Sequence, residues 1–335
     1  MTSADNLLEA WREFARGKRT KVDVQEFEVH LMSNIISLYK DLANKTYQHS
    51  AYQAFKISDP KPRHIHKALV RDRLLHHALY RVLYPFFDRT FIADSYSCRI
   101  GKGTHKAMNR FHAMAYEVSR NHTRTCWVLK CDVKKFYASI DHEILKAMLV
   151  RYIPDRDILA LLSRVIDSFS IGAISKGLPL GNLTSQLFCN IYMNEFDQFV
   201  KHRLKAKCYI RYADDFVILS HNRLSLLRQA DAVSDFLQTR LKLQLHQDKL
   251  LIKPFASGVD FLGLVHWPTH RVLRTTTKHR MFVKLDRRVE EYGRGVINRQ
   301  TAEQSYQSYL GVLSHANAYK LTLVLKNEFQ YQLSV

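Results

Sequence analysis

The sequence predicts an α+β protein, on three observations. Short β-branched and aromatic runs cluster between about 126 and 267, and one of them, 208–220, folds about an Ala-Asp centre as a hairpin. Segments before, between and after these runs carry apolar residues at three- and four-residue steps, the spacing of amphipathic helices. The 335 residues are 46% hydrophobic and 11% aromatic, enough for a sizeable core, and 11 Gly and 7 Pro are too few for a collagen-like or linker-rich chain.

Taken in order, 23–43 reads as one helix on the spacing of Phe27, Leu31, Ile35, Leu38 and Leu42, with Asp23 and Glu26 as its N-terminal cap. Pro60 and Pro62 break the pattern over 58–66 by keeping the preceding residues extended. A second helix is expected over 68–87, ending near Pro85. The run 126–137 is extended and ends in charge. Helices are then expected over 141–153, capped by Asp141, and over 155–169. A Gly/Pro/Asn-rich loop, 177–186, leads into a helix over 184–204. The hairpin follows, then a helix over 222–243, a strand over 249–253 and an extended stretch over 259–267. The remainder, 278–335, is largely helical.

Charge narrows the partners. Fifty-one Lys+Arg against 31 Asp+Glu leave a net charge of +20, which calls for an anionic partner, nucleic acid or membrane surface. Residues 59–110 carry a net +7 and residues 267–335 a net +6, flanking a balanced centre. No apolar run approaches a membrane span of roughly 18 residues. The N-terminal MTSADNLLEAWREF lacks a signal peptide's basic start and apolar stretch. Five cysteines form no CxxC pair, so a cytoplasmic setting is expected, with the cysteines as small buried residues.

The strand 126–131 delivers Asp132 at its C-terminal end, and the hairpin delivers Asp214 and Asp215 at its turn. If these strands share a sheet, three carboxylates converge on one edge. Clustered carboxylates repel unless a cation neutralises them. A few hard oxygen ligands with room for water and phosphate suit Mg²⁺. Two such ions about 4 Å apart can activate a hydroxyl and stabilise a leaving pyrophosphate.

At YADD (212–215) the sequence resembles a reverse transcriptase, over about residues 20 to 335. DVKKFY (132–137), FLG (261–263), RDRLLHHALYRVLYPFFDRTF and SYSCRIGKGTHKA resemble further blocks of group II intron-like enzymes, in the expected order. The loop LPLGNLTSQ (178–186), with Leu180-Gly181 where most relatives carry Gln-Gly, resembles the reverse transcriptases of diversity-generating retroelements. So do AWREFARGKR and HANAYKL.

The resemblance implies a right-hand polymerase fold with an antiparallel palm sheet, helical fingers and a helical thumb. It places an N-terminal helical extension at 1–57, fingers and palm at 58–266 and the thumb at 267–335. It implies that Asp132, Asp214 and Asp215 are the catalytic metal ligands, with the Val133 carbonyl, for two Mg²⁺ ions. Asp215 is the least secured as a direct ligand. Tyr137 becomes the gate beside the incoming sugar, with core packing next to Phe136 as the competing role. Lys61 and Arg63 match positions that contact the triphosphate, with template phosphate or plain solvation as the competing roles, and Leu180 and Gly181 lie near the nascent base pair. The function so implied is RNA-directed DNA synthesis on a template-repeat RNA, giving adenine-mutagenised cDNA for mutagenic retrohoming. The partners implied are template RNA and its RNA/cDNA duplex, dNTPs and a small basic pentameric accessory variability protein, in a bacterial, archaeal or phage-encoded setting. Two alternatives are weighed: a defence-associated or group II intron-derived enzyme with another template, and a non-catalytic RNA-binding scaffold.

Overall fold

A computed structural model describes residues 1–58, 62–172 and 175–334. The N-terminal segment begins with α1 (Ala4–Ala15), capped by the Ser3 hydroxyl, which accepts from the Asn6 N–H. The helix expected over 23–43 is two helices, α2 (Val22–Val29) and α3 (Leu31–Ala43), which meet at His30, with φ −113° and ψ 33°. Asp23 does not cap α2. It lies in the first turn, and its carboxylate pairs with Lys67 and Arg73 instead. Tertiary ion pairs have taken the side chain from the local role that the pattern assigned to it.

The stretch expected as a break, 58–66, overlaps a hairpin that the sequence did not announce, made of β1 (Gln53–Ile57) and β2 (Arg63–Lys67), paired antiparallel from Gln53–Lys67 to Ile57–Arg63. Helix α4 (Val70–Asp88) runs through Pro85 rather than ending there. Helix α5 (Thr104–Val118) follows, starting at Gly103 with φ +111°. Next come β3 (Trp127–Asp132), a short turn of helix α6 (Phe136–Ser139), α7 (His142–Val150) and α8 (Arg156–Asp167). Asp141 caps α7 by accepting from the Ile144 N–H, and Asp155 caps α8. Helix α9 (Leu183–Gln198) precedes β4 (Cys208–Tyr212) and β5 (Asp215–Ser220), and α10 spans Arg223–Leu241.

After α10 come β6 (Leu251–Pro254), then β7 (Val259–Phe261), β8 (Leu264–His266) and β9 (Arg271–Leu273). The chain closes with α11 (Thr275–Gly293), α12 (Arg299–Leu313) and α13 (Tyr319–Ser334). Among the described residues, one sheet has the strand order β4-β5-β3-β6, with β3 and β6 antiparallel from Trp127–Pro254 to Lys130–Leu251. A smaller antiparallel sheet has the order β7-β8-β9.

The chain divides into two compact units. One comprises Met1–Gly101, Cys131–Phe216 and Gln229–Leu250; the other comprises Lys102–Lys130, Val217–Arg228 and Leu251–Val335. The second unit's core gathers Met281 and Leu285 of α11, Ala302, Tyr306 and Leu313 of α12, and Phe329 of α13. The Tyr306 and Phe329 rings stack there at 4.4 Å.

In the first unit, α9 is buried on nearly every side, including its polar residues Asn190, Asn194 and Asp197. That is possible because Asp197 has a partner. Arg211 of β4, fully buried, donates Nε to Asp197 Oδ1 at 2.8 Å and a terminal nitrogen to Oδ2 at 2.7 Å. It also reaches Ser95 Oγ, Asn190 Oδ1 and the carbonyl of Ala213. Tyr209 adds its hydroxyl to Asp197 Oδ1 at 2.7 Å. Removing one partner leaves a buried charge alone. Arg211→Met should therefore lower unfolding stability by about 3–5 kcal/mol, read by denaturant titration, and Arg211→Met with Asp197→Leu should recover much of the loss. A single variant as stable as the parent would show that the pair carries no such weight.

Candidate active site

The β4–β5 connection is a two-residue turn. Ala213 takes φ +55°, a left-handed conformation that costs a non-glycine residue energy, and Arg211 holds the Ala213 carbonyl from below at 3.1 Å. Asp214 follows on this fixed turn. Asp132 is set by β3 and by the segment after α10. The His246 N–H donates to the Asp132 carbonyl, and the Lys134 N–H to that of Gln244, each at 2.8 Å. These two bonds bracket the antiparallel Val133–Leu245 bridge. Val133 therefore points its own N–H and C=O away from Leu245. Its N–H donates to the Asp214 carbonyl at 3.1 Å, so its C=O faces the same side as that turn.

The two carboxylates feel each other. Burial and then the Asp132 charge push the Asp214 carboxyl above the usual range, against the opposing pull of its own backbone N–H, Lys249 and Arg63. Lys249, on a 3₁₀ turn (Gln247–Lys249), donates its ammonium to Asp132 Oδ1 at 2.7 Å. Arg63, at the exposed start of β2, acts on Asp214 through its charge.

Asp215 does not join this pair. Its charge registers on Cys131, whose thiol is pushed up to about 12 by burial first and Asp215 second. Cys131 and Asp132 are successive residues of β3 and point to opposite faces. Among the described residues, no three acidic, histidine or cysteine side chains gather as a metal-holding group. The three-carboxylate convergence expected from sequence is thus a pair, Asp132 and Asp214, because strand alternation turns their neighbour elsewhere.

Tyr137 packs its ring against Phe136, with centroids 5.7 Å apart. Its hydroxyl lies near the buried Cys189 thiol of α9. Its pKa is raised by burial first and then by Cys189 and Cys98, with a smaller contribution from Asp214. The loop after it is stitched to two neighbours. The Leu178 N–H donates to the Tyr137 carbonyl at 2.8 Å, and the Leu180 carbonyl accepts from the His66 N–H of β2 at 3.2 Å. The Asn182 amide donates to the His66 carbonyl. Gly181 has φ +108°, and a Cβ there would sit 3.2 Å from Ile65 Cγ2. Both its conformation and its neighbour call for glycine.

The structure therefore brings Asp132, Val133, Asp214, Arg63 and Tyr137 to one region and ties Leu180 and Gly181 to the same hairpin as Arg63. Lys61 lies outside the described residues. Sequence reasoning missed Lys249, since one lysine in a basic chain gives no periodic or motif signal. It also missed Arg211 and Asp197, whose burial no local pattern announces.

The profile of the reverse transcriptase (RNA-dependent DNA polymerase) family matches residues 56–266. This chain belongs to that family. It is 26% identical over 250 residues to protein YkfC of Escherichia coli (strain K12), a match covering 63% of each. It is 22% identical over 259 residues to the group II intron-encoded protein LtrA of Lactococcus lactis subsp. cremoris, covering 57% of this chain and 42% of LtrA. The matches span less than two thirds of these relatives. In fold, it is similar to telomerase from Candida albicans in complex with a telomeric RNA fragment, with TM-score 0.54 and 13% identity, over 86% of this chain and 55% of that one. Apo telomerase from Candida tropicalis gives TM-score 0.51 and 11% identity, over 65% and 47% of the two chains. These likenesses show the polymerase fold, mixed helix and antiparallel sheet. No described helix is long and apolar enough to cross a membrane.

The raised Asp214 pKa has a stability consequence. The folded state holds this proton more tightly than the unfolded chain does, so the group's stabilisation is complete below the ordinary carboxylate range. It is lost as pH rises through the raised value. Asp214→Asn removes the charge that Asp132 opposes. At pH 7 and without divalent metal, this variant should melt at a higher temperature than the parent, with a shallower dependence on pH between the ordinary carboxylate range and neutrality. Calorimetry at several pH values checks it, and a lower melting temperature for the variant would contradict it.

Proposed function

We propose that the chain is the RNA-directed DNA polymerase of a diversity-generating retroelement, copying a template-repeat RNA into adenine-mutagenised cDNA. The polymerase reading rests above all on the Asp132–Asp214 pair, set within the family-matched segment beside Arg63. Within it, 58–266 serves as fingers and palm, 267–335 as thumb and 1–57 as an N-terminal extension. The retroelement reading rests on the loop LPLGNLTSQ, with Leu180 where relatives carry Gln.

The donor set fits divalent metal. Asp132, Asp214 and the Val133 carbonyl offer hard oxygens, and the mutual repulsion of the carboxylates is what a cation would relieve. Mg²⁺ needs only one or two carboxylates when water and substrate phosphates complete its shell. Asp215, whose charge acts on Cys131, remains the least secured of the three as a direct ligand. Magnesium ions bound there would supply Lewis-acid charge for nucleotidyl transfer. The protein's own groups do the positioning. Arg63, and Lys61 by resemblance, neutralise triphosphate charge. Lys249 steadies the Asp132 carboxylate between turnovers. Tyr137, its ring packed edge-on against Phe136, presents that ring against a 2′-hydroxyl.

The remaining partners are template RNA, its duplex with cDNA, dNTPs and the small basic pentameric accessory protein. The solved telomerase with telomeric RNA supports an RNA partner for this fold. A group II intron-derived enzyme with another template is the second reading, favoured by the similarity to LtrA. The neighbouring genome separates the two: a template repeat and a variable repeat differing at adenines belong to the first alone.

Primer extension on RNA with Mg²⁺ tests the polymerase reading. Asp132→Ala and Asp214→Ala should each lower the rate by orders of magnitude, because transition-state charge goes unneutralised, while RNA binding persists. Near-normal extension by either folded variant would sink the site. In the same assay Tyr137→Ala should accept rNTPs; an unchanged dNTP preference would leave Tyr137 as a packing residue.

Leu180 bears on fidelity. Leucine offers bulk without donor or acceptor, and discrimination built on hydrogen bonds can exceed that built on apolar shape. Leu180→Gln should lower misincorporation opposite template adenine with synthesis intact, read by sequencing cDNA from one RNA. Equal adenine error rates in parent and variant would exclude Leu180 from the mechanism.

A further inference from the structure

Outside the carboxylate pair, one buried side chain reaches the loop that holds Tyr137. His142 is the first residue of α7, and its ring lies between two oxygens. Nε2 stands 2.7 Å from the Gly177 carbonyl, which can only accept, so Nε2 carries a hydrogen. Nδ1 stands 3.3 Å from Asp167 Oδ1 of α8. Asp167 is held in turn by Lys146, 2.8 Å from its Oδ2, and Lys146 also meets Glu143 at 3.0 Å. The bond at one ring nitrogen fixes the orientation of the other, so Asp167 aims Nε2 at Gly177.

The main chain converges on the same segment. The His142 N–H donates to the Ser175 carbonyl at 3.1 Å, Asp141 bridges to Lys176, and the Gly177 N–H donates to the Ile140 carbonyl at 2.8 Å. Gly177 is itself buried, with φ +99°, and a Cβ there would stand 3.1 Å from Ile171. A buried carbonyl left unbonded is costly, and the His142 ring is what meets this one.

A single peptide group carries this grip to the site. The Gly177 carbonyl and the Leu178 N–H belong to one planar unit. His142 holds its oxygen, and the Tyr137 carbonyl takes its N–H at 2.8 Å. Tyr137 lies in α6, a helix of four residues, too short for its last carbonyls to find partners within it. Its backbone is therefore steadied from outside. A rocking of the Gly177–Leu178 plane would move Tyr137, whereas Asp132 and Asp214 are set by other bonds, those of the Val133 and His246 N–H groups.

We propose that His142 is a positioning residue for nucleotide selection: aimed by Asp167, its Nε2–H fixes the Gly177–Leu178 peptide plane and, through it, Tyr137 beside the incoming sugar. The proposal rests on the reading of the chain as a polymerase with Tyr137 as its sugar gate. Without the ring's bond the plane is held at one edge only, and the gate rejects a 2′-hydroxyl less strictly while the carboxylates keep their places.

The test is primer extension on RNA by the full chain with Mg²⁺, with dNTP and rNTP titrated separately. His142→Asn leaves an amide too short to reach Gly177. It should narrow the dNTP preference about five- to tenfold, the scale of one lost hydrogen bond, chiefly through a lower KM for rNTP, with kcat for dNTP close to the parent's. His142→Gln, whose amide nitrogen can reach the Nε2 position, should restore most of the preference. Asp167→Ala, at a half-exposed carboxylate, should narrow it in the same direction and by less. Parent-like preference in folded His142→Asn, or equal losses in the Asn and Gln variants, would overturn the proposal. Should His142→Asn not fold at the assay temperature, Asp167→Ala decides, and an unchanged preference there rejects it. Tyr137→Ala, run alongside, separates this proposal from the reading beneath it. A parent that extends no primer, or a Tyr137→Ala that keeps its dNTP preference, removes the polymerase or gate reading and the proposal with it. A relaxed Tyr137→Ala beside a parent-like His142→Asn removes the proposal alone.

Discussion

The buried Arg211–Asp197 pair is the interaction on which the site depends. A guanidinium without solvent is tolerable only when its hydrogen-bond donors are met. Here Asp197 takes a bidentate pair, and Ser95, Asn190 and the Ala213 carbonyl take the rest. The last of these is the link to function, because Ala213 is the strained residue of the turn that presents Asp214. Helix α9 buries polar residues for the same reason: Asn190 and Asp197 face inward to serve Arg211. The turn's position is thus set from the core outward.

Given that anchor, backbone bonds force an arrangement that side-chain electrostatics oppose. The Val133 N–H on the Asp214 carbonyl and the His246 N–H on the Asp132 carbonyl fix two segments side by side, and the Asp132 charge then raises the cost of ionising Asp214. Lys249 offsets part of that repulsion. A local conflict maintained by well-bonded surroundings is the mark of a functional site rather than of a folding solution.

The loop between α8 and α9 does a second positioning task. It joins the Tyr137 carbonyl through Leu178, and β2 through Leu180 and Asn182, so the segment bearing Tyr137 and the hairpin bearing Arg63 are coupled by one stretch of chain. Gly181 permits this because its left-handed backbone passes close to Ile65.

The sequence by itself determined the α+β architecture, the family and the locations of Asp132 and Asp214. The extended apolar run that ends at Asp132, the YADD hairpin and the apolar spacing of the helices are local patterns, and local patterns survive in one dimension. The N-terminal hairpin escaped notice because Pro60 and Pro62 read as a break, and the single helix expected over 23–43 divides at His30, where the backbone leaves the helical region. Only the tertiary structure decided that Asp215 leaves the pair, that Asp23 serves Lys67 and Arg73 instead of capping α2, and that Lys249 meets Asp132 across 117 residues. Each of these outcomes turns on which distant group a charge or a strand face meets, and no spacing along the chain encodes that meeting.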